Sequence, residues 1–535
     1  METPMKAVIL TAVAALGVIT SATARQAESA RDLVNRAAEA LGGRDRLLAL
    51  RTITIEGYGQ LAYQNGGGNI TSSPDAPQKW IDVNSYSRVI DLQNMRTRVR
   101  QRQVYDFVFA AAQQMRGVVS TQGLDGIVAY NVNAAGVATR APIAAAQARR
   151  MEMLAHPIVA VREALASSSR VVRAPARLML DTGFQGVVPD QLRVEVSAGV
   201  DTFMLAIDPM TSLPQSVSWV GPDQNLGDVE YRTAFTGYQP VSGVMMPTGF
   251  NTTINFRNVV QQKLYVDRHA VDASTEDLAA PASVRAAPAP ARPTPKIGVT
   301  EIAKGIWYLT GAGNSTLFEF DDHLTLFEAY GSEANAQAIF ETARALVPRK
   351  PLTEVIVSHH HFDHTGGLRA AAVEGLTIVA QRGNEAFLRE VTARPGRVSR
   401  VVFGKDPRQI QVRAVDDHLK LRDNSMEIDI YRVVANSHMA DGLMVYVPRD
   451  RLLVQGDLFD VNWEIYWWGS SYVDNVRHRK LQVDRDVPVH GRVLPFAEVQ
   501  QHIDRQIKAA QALCASVEAA GLSMRGCPVK TTVDR

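Results

Sequence analysis

Residues 353–367 read "TEVIVSHHHFDHTGG". The first half is a short apolar, β-branched run, the pattern of a strand buried on both faces. It ends directly at His359, and from there to His364 four histidines and an aspartate fall within six positions. Alternate residues leaving a strand point to one side, so His359 and His361 can meet the same ion. Asp363 and His364 follow as the chain turns into a helix, displaced enough to address a second ion. A solvated polar loop is the other reading of this cluster, and the rest of the chain decides between them.

Ten of the twelve histidines lie after residue 300. His438 stands in "ANSHMADGLMVYVP", Asp457 in "LLVQGDLFD" and His490 in "DVPVHGRVLP", each where an apolar strand gives way to a loop. With His438 the first ion gains three imidazoles. With His490 the second gains two imidazoles and the Asp363 carboxylate, and Asp457 can bridge both. Zinc accepts this nitrogen and oxygen set, and a catalytic zinc site keeps a position open for water. His360 and Thr365 are intervening positions. His323, His418, His478 and His502 have no motif context, and His156 and His269 lie far from the cluster in sequence.

Strands such as "GIWYLTG", "STLFEF", "HLTLFEAY", "LTIVA", "MEIDIYRVV" and "RLLVQGD" alternate with helical patterns such as "EANAQAIFETARALV", which describes a layered α/β region. This region, roughly residues 297 to 500, resembles the metallo-β-lactamase superfamily. "HHHFDHTGG" fits the superfamily's H-x-H-x-D-H-x-G-G signature, and His438, Asp457 and His490 follow at intervals of 74, 19 and 33 residues, in the family's order. The resemblance implies an αββα sandwich holding two zinc ions through His359, His361, Asp363, His364, His438, Asp457 and His490. It also implies a water acidified from a pKa of about 15.7 towards about 7, so that hydroxide attacks a carbonyl carbon. Asp363 would orient that nucleophile and shuttle a proton.

The expected function is an exported binuclear zinc-dependent hydrolase acting on an ester, a lactone or a related carbonyl substrate. True β-lactamases of the superfamily generally lack a bridging aspartate at the Asp457 position, which favours ester-type cleavage. The alternatives are a metallo-β-lactamase proper, a periplasmic binding or carrier protein with a metal domain, and an oxygenase-type relative using one iron. Seven intact ligands argue against a purely structural site, which closes with four. Trp463, Tyr466, Trp467, Trp468 and Tyr472, in "DVNWEIYWWGSSY", either line a substrate wall or pack the loop onto the sandwich.

At 535 residues the chain exceeds what one hydrophobic core organises, so two or more domains are expected. A net charge of +2 gives no global field towards nucleic acid, and none is expected as a partner. Lys6, the apolar run Ala7–Ile19 and Ala22-Thr23-Ala24 read as a signal peptide over 1–24, cleaved before Arg25, with a periplasmic or secreted product. No other stretch is apolar enough to span a bilayer.

Residues 25–273 open with a helix over "SARDLVNRAAEALGG" and then read as antiparallel strands and turns, with "NGGG" at 65–68 as one turn. Arg96, Arg98, Arg100 and Arg102 share one strand face, either to grip an anion or to meet water. "DPMTSLP" and "YQPVSGVMMP" resemble the half-barrel of periplasmic lipoprotein carriers. Residues 274–296 are rich in Ala and Pro, with little to bury, and read as an extended spacer. Residues 297–535 then form the catalytic domain, expected to bind zinc by itself. Cys514 and Cys527 either form a short-loop disulfide or remain thiols.

Overall fold

The computed structural model describes residues 28–63, 79–105, 117–181, 186–223, 225–291, 294–394, 396, 410–521 and 527. The expected signal peptide and the "NGGG" turn lie outside them. Among the described residues the strands form three sheets, of thirteen, seven and six strands.

The thirteen-stranded sheet runs from Thr52 to Val271 and is antiparallel at every junction. Its first strand, Thr52–Ala62, pairs with its last, Val260–Val271, so the two ends of the meander meet in mid-sheet. The helix Ala30–Ala40 begins at a capping box between Ser29 and Asp32 and buries Leu33, Val34, Ala37 and Ala38. The expectation of a single helix here is corrected: Arg44–Ala49, Ile143–Leu154 and Pro157–Leu165 are helical as well. The last of these, "PIVAVREAL", is apolar almost all round because it is packed on several sides, which hides its helical period. Ile158, Val159 and Val161 join Leu33, Val34, Ile53, Val194, Phe203 and Leu205 in one core on the sheet.

The Ala/Pro-rich segment is not a bare spacer. Leu278, Ala280 and Val284 are buried, and Ala282–Ala286 is a helical turn against Tyr130. Arg96 pairs with Asp125 at 2.7 Å, Arg98 pairs with Glu276 at 2.7 Å, and the Asp125 carboxylate also accepts from the Ala280 amide. Half of the arginine row therefore ties down this strap, and Arg100 and Arg102 are exposed.

The C-terminal region is a four-layered α/β sandwich. The strands of the seven-stranded sheet run from Gly298–Ala303 to Gln411–Val415. The strands Leu324–Phe327, Leu352–Ile356 and Thr377–Gln381 are its parallel centre, buried except at Thr353 and Thr377, which are half-buried. Strands from His418–Arg422 to Leu494–Pro495 make the six-stranded sheet. Between the sheets Phe318, Phe327, Ile356 and Val379 meet Ile428, Ile430, Val445, Val454 and Val487. Residues alternating with these point outward: Met444, Tyr446 and Leu453 pack under Tyr472, Phe496, Val499 and Ile503 of the outer helices. Cys514 and Cys527 are disulfide-bonded, which resolves the two readings of that pair.

The two regions share apolar surface. Val229 and Ile254 of the large sheet, with Leu226, Phe256 and Val259 of its turns, lie in one buried cluster with Leu368, Leu376, Phe387 and Leu388. No described helix is long and apolar enough to cross a membrane.

Candidate metal centre

The strand Leu352–Ile356 runs into Val357 and Ser358 and releases His359 with 0% exposure. His361 caps the short helix Phe362–Thr365, which carries Asp363 and His364. Helix formation needs space, which the two glycines provide. A Cβ on Gly366 would stand 2.0 Å from the Gly331 carbonyl oxygen, and one on Gly367 2.0 Å from that of Ala329. The loop holding His438 is braced by Asn436, whose side-chain oxygen accepts from the backbone of His438 at 2.7 Å and of Met439 at 3.1 Å. Asp457 follows the strand Leu452–Gln455 and His490 follows Arg485–Pro488, two parallel neighbours that end on the same side. Gly491, at φ 98°, makes the turn after His490.

All seven predicted residues come together. The ligand atoms of His359, His361, His438 and Asp457 lie within 4.8 Å of one another, and so do those of Asp363, His364 and His490. Asp457 stands between the groups. Its Oδ2 is 2.9 Å from His438 Nε2 and 3.7 Å from His359 Nε2, while its Oδ1 is 3.0 Å from His364 Nε2 and 3.1 Å from His490 Nε2. Asp363 Oδ2 lies 3.4 Å from His364 Nε2 and 3.3 Å from His490 Nε2.

These residues fit metal ions. Buried His359 Nε2 and His361 Nε2 make no hydrogen bond among the described residues, a costly arrangement unless a cation takes them. Ligands about 2.0 Å from a tetrahedral zinc would stand roughly 3.3 Å apart, close to the separations of 2.9 to 3.7 Å around Asp457 and Asp363. Burial holds the His359 and His361 imidazoles well below their ordinary range, keeping them neutral as ligands must be. Burial opposes charge on His490 too, but Asp457 and Asp363 outweigh it and raise the group to about 10.

Several supports were not legible in the sequence. Glu328 is fully buried at φ 69° and accepts from the Ser358 amide at 2.7 Å, with His364 Nδ1 3.5 Å away. Ser358 Oγ lies 2.9 Å from His359 Nδ1 and 3.3 Å from His364 Nδ1. The Tyr330 hydroxyl donates to Asp363 Oδ2 at 3.3 Å, and its ring meets those of His364 and His490 edge-on. The signal available for Glu328 and Tyr330 was position: both follow the strand Leu324–Phe327, the parallel neighbour of the one that delivers His359. The aromatic loop braces the site. Trp468 stacks on His438 at 4.2 Å, and both Trp468 Nε1 and the Tyr466 hydroxyl donate to the Asp457 carbonyl oxygen, at 2.8 and 2.9 Å. Tyr472 is buried against Asp486. His360 packs edge-on against Phe387, and His418 pairs with Asp429 away from the site.

Residues 309–469 carry a stretch that matches the model of the metallo-beta-lactamase superfamily domain. A linear primary-alkylsulfatase of Pseudomonas sp. is 33% identical over 79 residues, 14% of this chain and 12% of that relative. The chain thus spans only about an eighth of the curated relative it matches. Among solved structures, a metallo-beta-lactamase from Pontibacter korlensis aligns at 16% identity and TM-score 0.31, covering 39% of this chain and 99% of its own. A stereoselective inverting sec-alkylsulfatase from Pseudomonas sp. aligns at 15% and 0.33, covering 43% and 44%.

Proposed function

We propose that the protein is an exported, binuclear zinc-dependent hydrolase of an ester, a lactone or a related carbonyl substrate. The observation that carries this reading is Asp457, whose two oxygens each face a different pair of imidazoles. His359, His361 and His438 would hold one ion, Asp363, His364 and His490 the other, and Asp457 both. Zinc bound there supplies a Lewis acid and makes water acidic enough to attack at neutral pH.

The chain's own part is positioning and proton transfer. Asp363 Oδ2 is engaged by Tyr330, while Oδ1 makes no hydrogen bond among the described residues. Asp363 Oδ1 would orient the attacking water and carry its proton to the leaving group. A cavity of about 410 Å³ opens beside His490, lined by Gly311–Asn314, Asn462 and Arg492, and gives a small substrate room. Asn314 is fixed there by donating to the carbonyl oxygens of Val489 and Gly491, at 2.9 and 3.1 Å.

A second reading, a sulfate ester as substrate, is favoured by the 79-residue stretch shared with a primary-alkylsulfatase. Metal analysis and a panel of lactones, esters, thioesters, sulfate esters and β-lactams test both. About two zinc per chain with ester or lactone turnover is expected. A single iron, or activity on β-lactams alone, would overturn the reading.

A further inference from the structure

Trp468 touches two of the side chains that would share the ion of His359, His361 and His438. Its indole lies on the His438 imidazole, with ring centroids 4.2 Å apart and planes 18° from parallel. Its Nε1 donates to the Asp457 carbonyl oxygen at 2.8 Å. Trp468 is buried, so neither contact competes with bulk water. The Tyr466 ring packs against it at 4.7 Å and sends a hydroxyl to the same Asp457 oxygen.

The indole is tied to the His438 loop a second time, through hydrogen bonds. Residues 434–441 link the strands Glu427–Val433 and Gly442–Val447 and form no helix or strand of their own. Asn436 accepts from the His438 amide and donates through Nδ2 to Ser471 Oγ at 2.7 Å. Ser471 Oγ donates in turn to the Trp468 carbonyl oxygen at 2.8 Å. His438, Asn436, Ser471 and Trp468 therefore close a ring of contacts.

A ligating histidine ordinarily has its second ring nitrogen held by a hydrogen bond. Ser358 Oγ stands 2.9 Å from His359 Nδ1 and serves that purpose. His438 Nδ1 makes no hydrogen bond to a described residue, and the indole face holds the ring instead. A dication on Nε2 would leave the imidazole electron-poor, and the π-rich indole face then attracts it more strongly. Holding the ring in place beforehand also spares that ion the cost of ordering it. The other ion's group is braced elsewhere, with Tyr330 against Asp363, His364 and His490.

We propose that Trp468 is a positioning residue for one ion only: it sets affinity at the His438 site and leaves the His490 site nearly unchanged. This rests on the binuclear reading above. Asp457 serves both ions, so losing the indole N–H alone acts on both alike, whereas losing the indole face acts on the His438 site.

Zinc titration of the full-length protein against a chromophoric chelator resolves the two binding steps. Trp468→Leu should weaken one step by about tenfold or more and leave the other within about threefold. Trp468→Phe and Tyr466→Phe each remove one donor to Asp457, and should keep the ratio of the two steps within about threefold of wild type. Two backgrounds assign the step. In His490→Ala, which keeps the His438 site, adding Trp468→Leu should weaken the remaining ion about tenfold; in His361→Ala it should change it by less than about threefold. Equal weakening of both ions, or of neither, would overturn the proposal. Coupling is reciprocal, so filling the His438 site should change the indole emission. Trp468 is one of six tryptophans, and Trp468→Phe isolates its signal. If Trp468→Leu does not fold, a change confined to the His438 step and absent in Trp468→Phe supports the role, and any other pattern overturns it. If wild type binds a single ion, the binuclear reading fails; that ion weakened about tenfold in Trp468→Leu still supports the role, and an unchanged one overturns it. A wild type that binds no zinc overturns both.

Discussion

Asp363 has one oxygen held by Tyr330 and one that makes no hydrogen bond among the described residues. That asymmetry separates two roles within one carboxylate. Asp363→Ala removes both, and turnover should fall at least a thousandfold while circular dichroism and the melting profile stay close to wild type. Activity that survives would remove Asp363 from the chemistry. Tyr330→Phe keeps the ring against His364 and His490 and deletes only the hydroxyl. A loss of roughly three- to tenfold in kcat with little change in KM is expected, since a hydrogen bond of this kind contributes about 1 kcal/mol. The seven clustered side chains were legible because imidazoles and carboxylates at strand ends are conspicuous in an apolar sequence. Glu328, Ser358 and Tyr330 were not, because each acts through a neighbour in space, and nothing in its own sequence context marks it.

At the scale of elements, the histidine loop works because the chain passes very close to itself. Gly367→Ala would press a methyl group against the Ala329 carbonyl oxygen and the Ala336 side chain. Relief would require moving the helix Leu368–Glu374 and with it His364. The expected cost is about 3 kcal/mol, seen as a melting point several degrees lower and as reduced zinc retention. A variant with wild-type melting and zinc content would show that the loop can yield.

The strand Arg485–Pro488, which presents His490, carries a different load. Burial pushes the Asp486 carboxyl from 3.8 up to about 7, against hydrogen bonds from Tyr472 and Gln455 that pull it down. A carboxyl raised in the folded state contributes its full stability below pH 3.8 and loses it as pH rises through about 7. Asp486→Asn cannot ionise, so its stability relative to wild type should improve from about pH 4 to about pH 7 and level off above that in urea titrations. A pH-independent difference would place the proton elsewhere. Elements with clear periods, such as Glu333–Leu346 and the strand before His359, were legible. Pro157–Leu165 was not, since packing on several sides leaves no polar stripe for the eye to follow.

At the scale of the molecule, the two regions are continuous where the sequence suggests a gap. Ala and Pro between 274 and 296 look unable to bury much, yet Ala280 and Val284 are small enough to lie flat against Tyr130, and the segment becomes a strap. Residue composition describes what a segment can bury by itself, and it is silent on a partner surface that folding brings to it. The same holds for the docking face. Leu226, Val229, Ile254, Phe256 and Val259 are all at most 1% exposed, in a cluster shared with the sandwich. Each buried side chain of this size is worth about 1.5–3 kcal/mol at most, so the face rivals the roughly 5–15 kcal/mol net stability of a typical domain. An isolated 297–535 fragment, which the sequence pattern alone suggests would bind zinc unaided, is therefore expected to aggregate or to retain well under two zinc per chain. Co-expression with residues 25–296 should restore both solubility and metal content. A monomeric fragment that holds two zinc and melts like the full chain would show that the docking face is dispensable, and the sandwich would then stand as a domain in its own right.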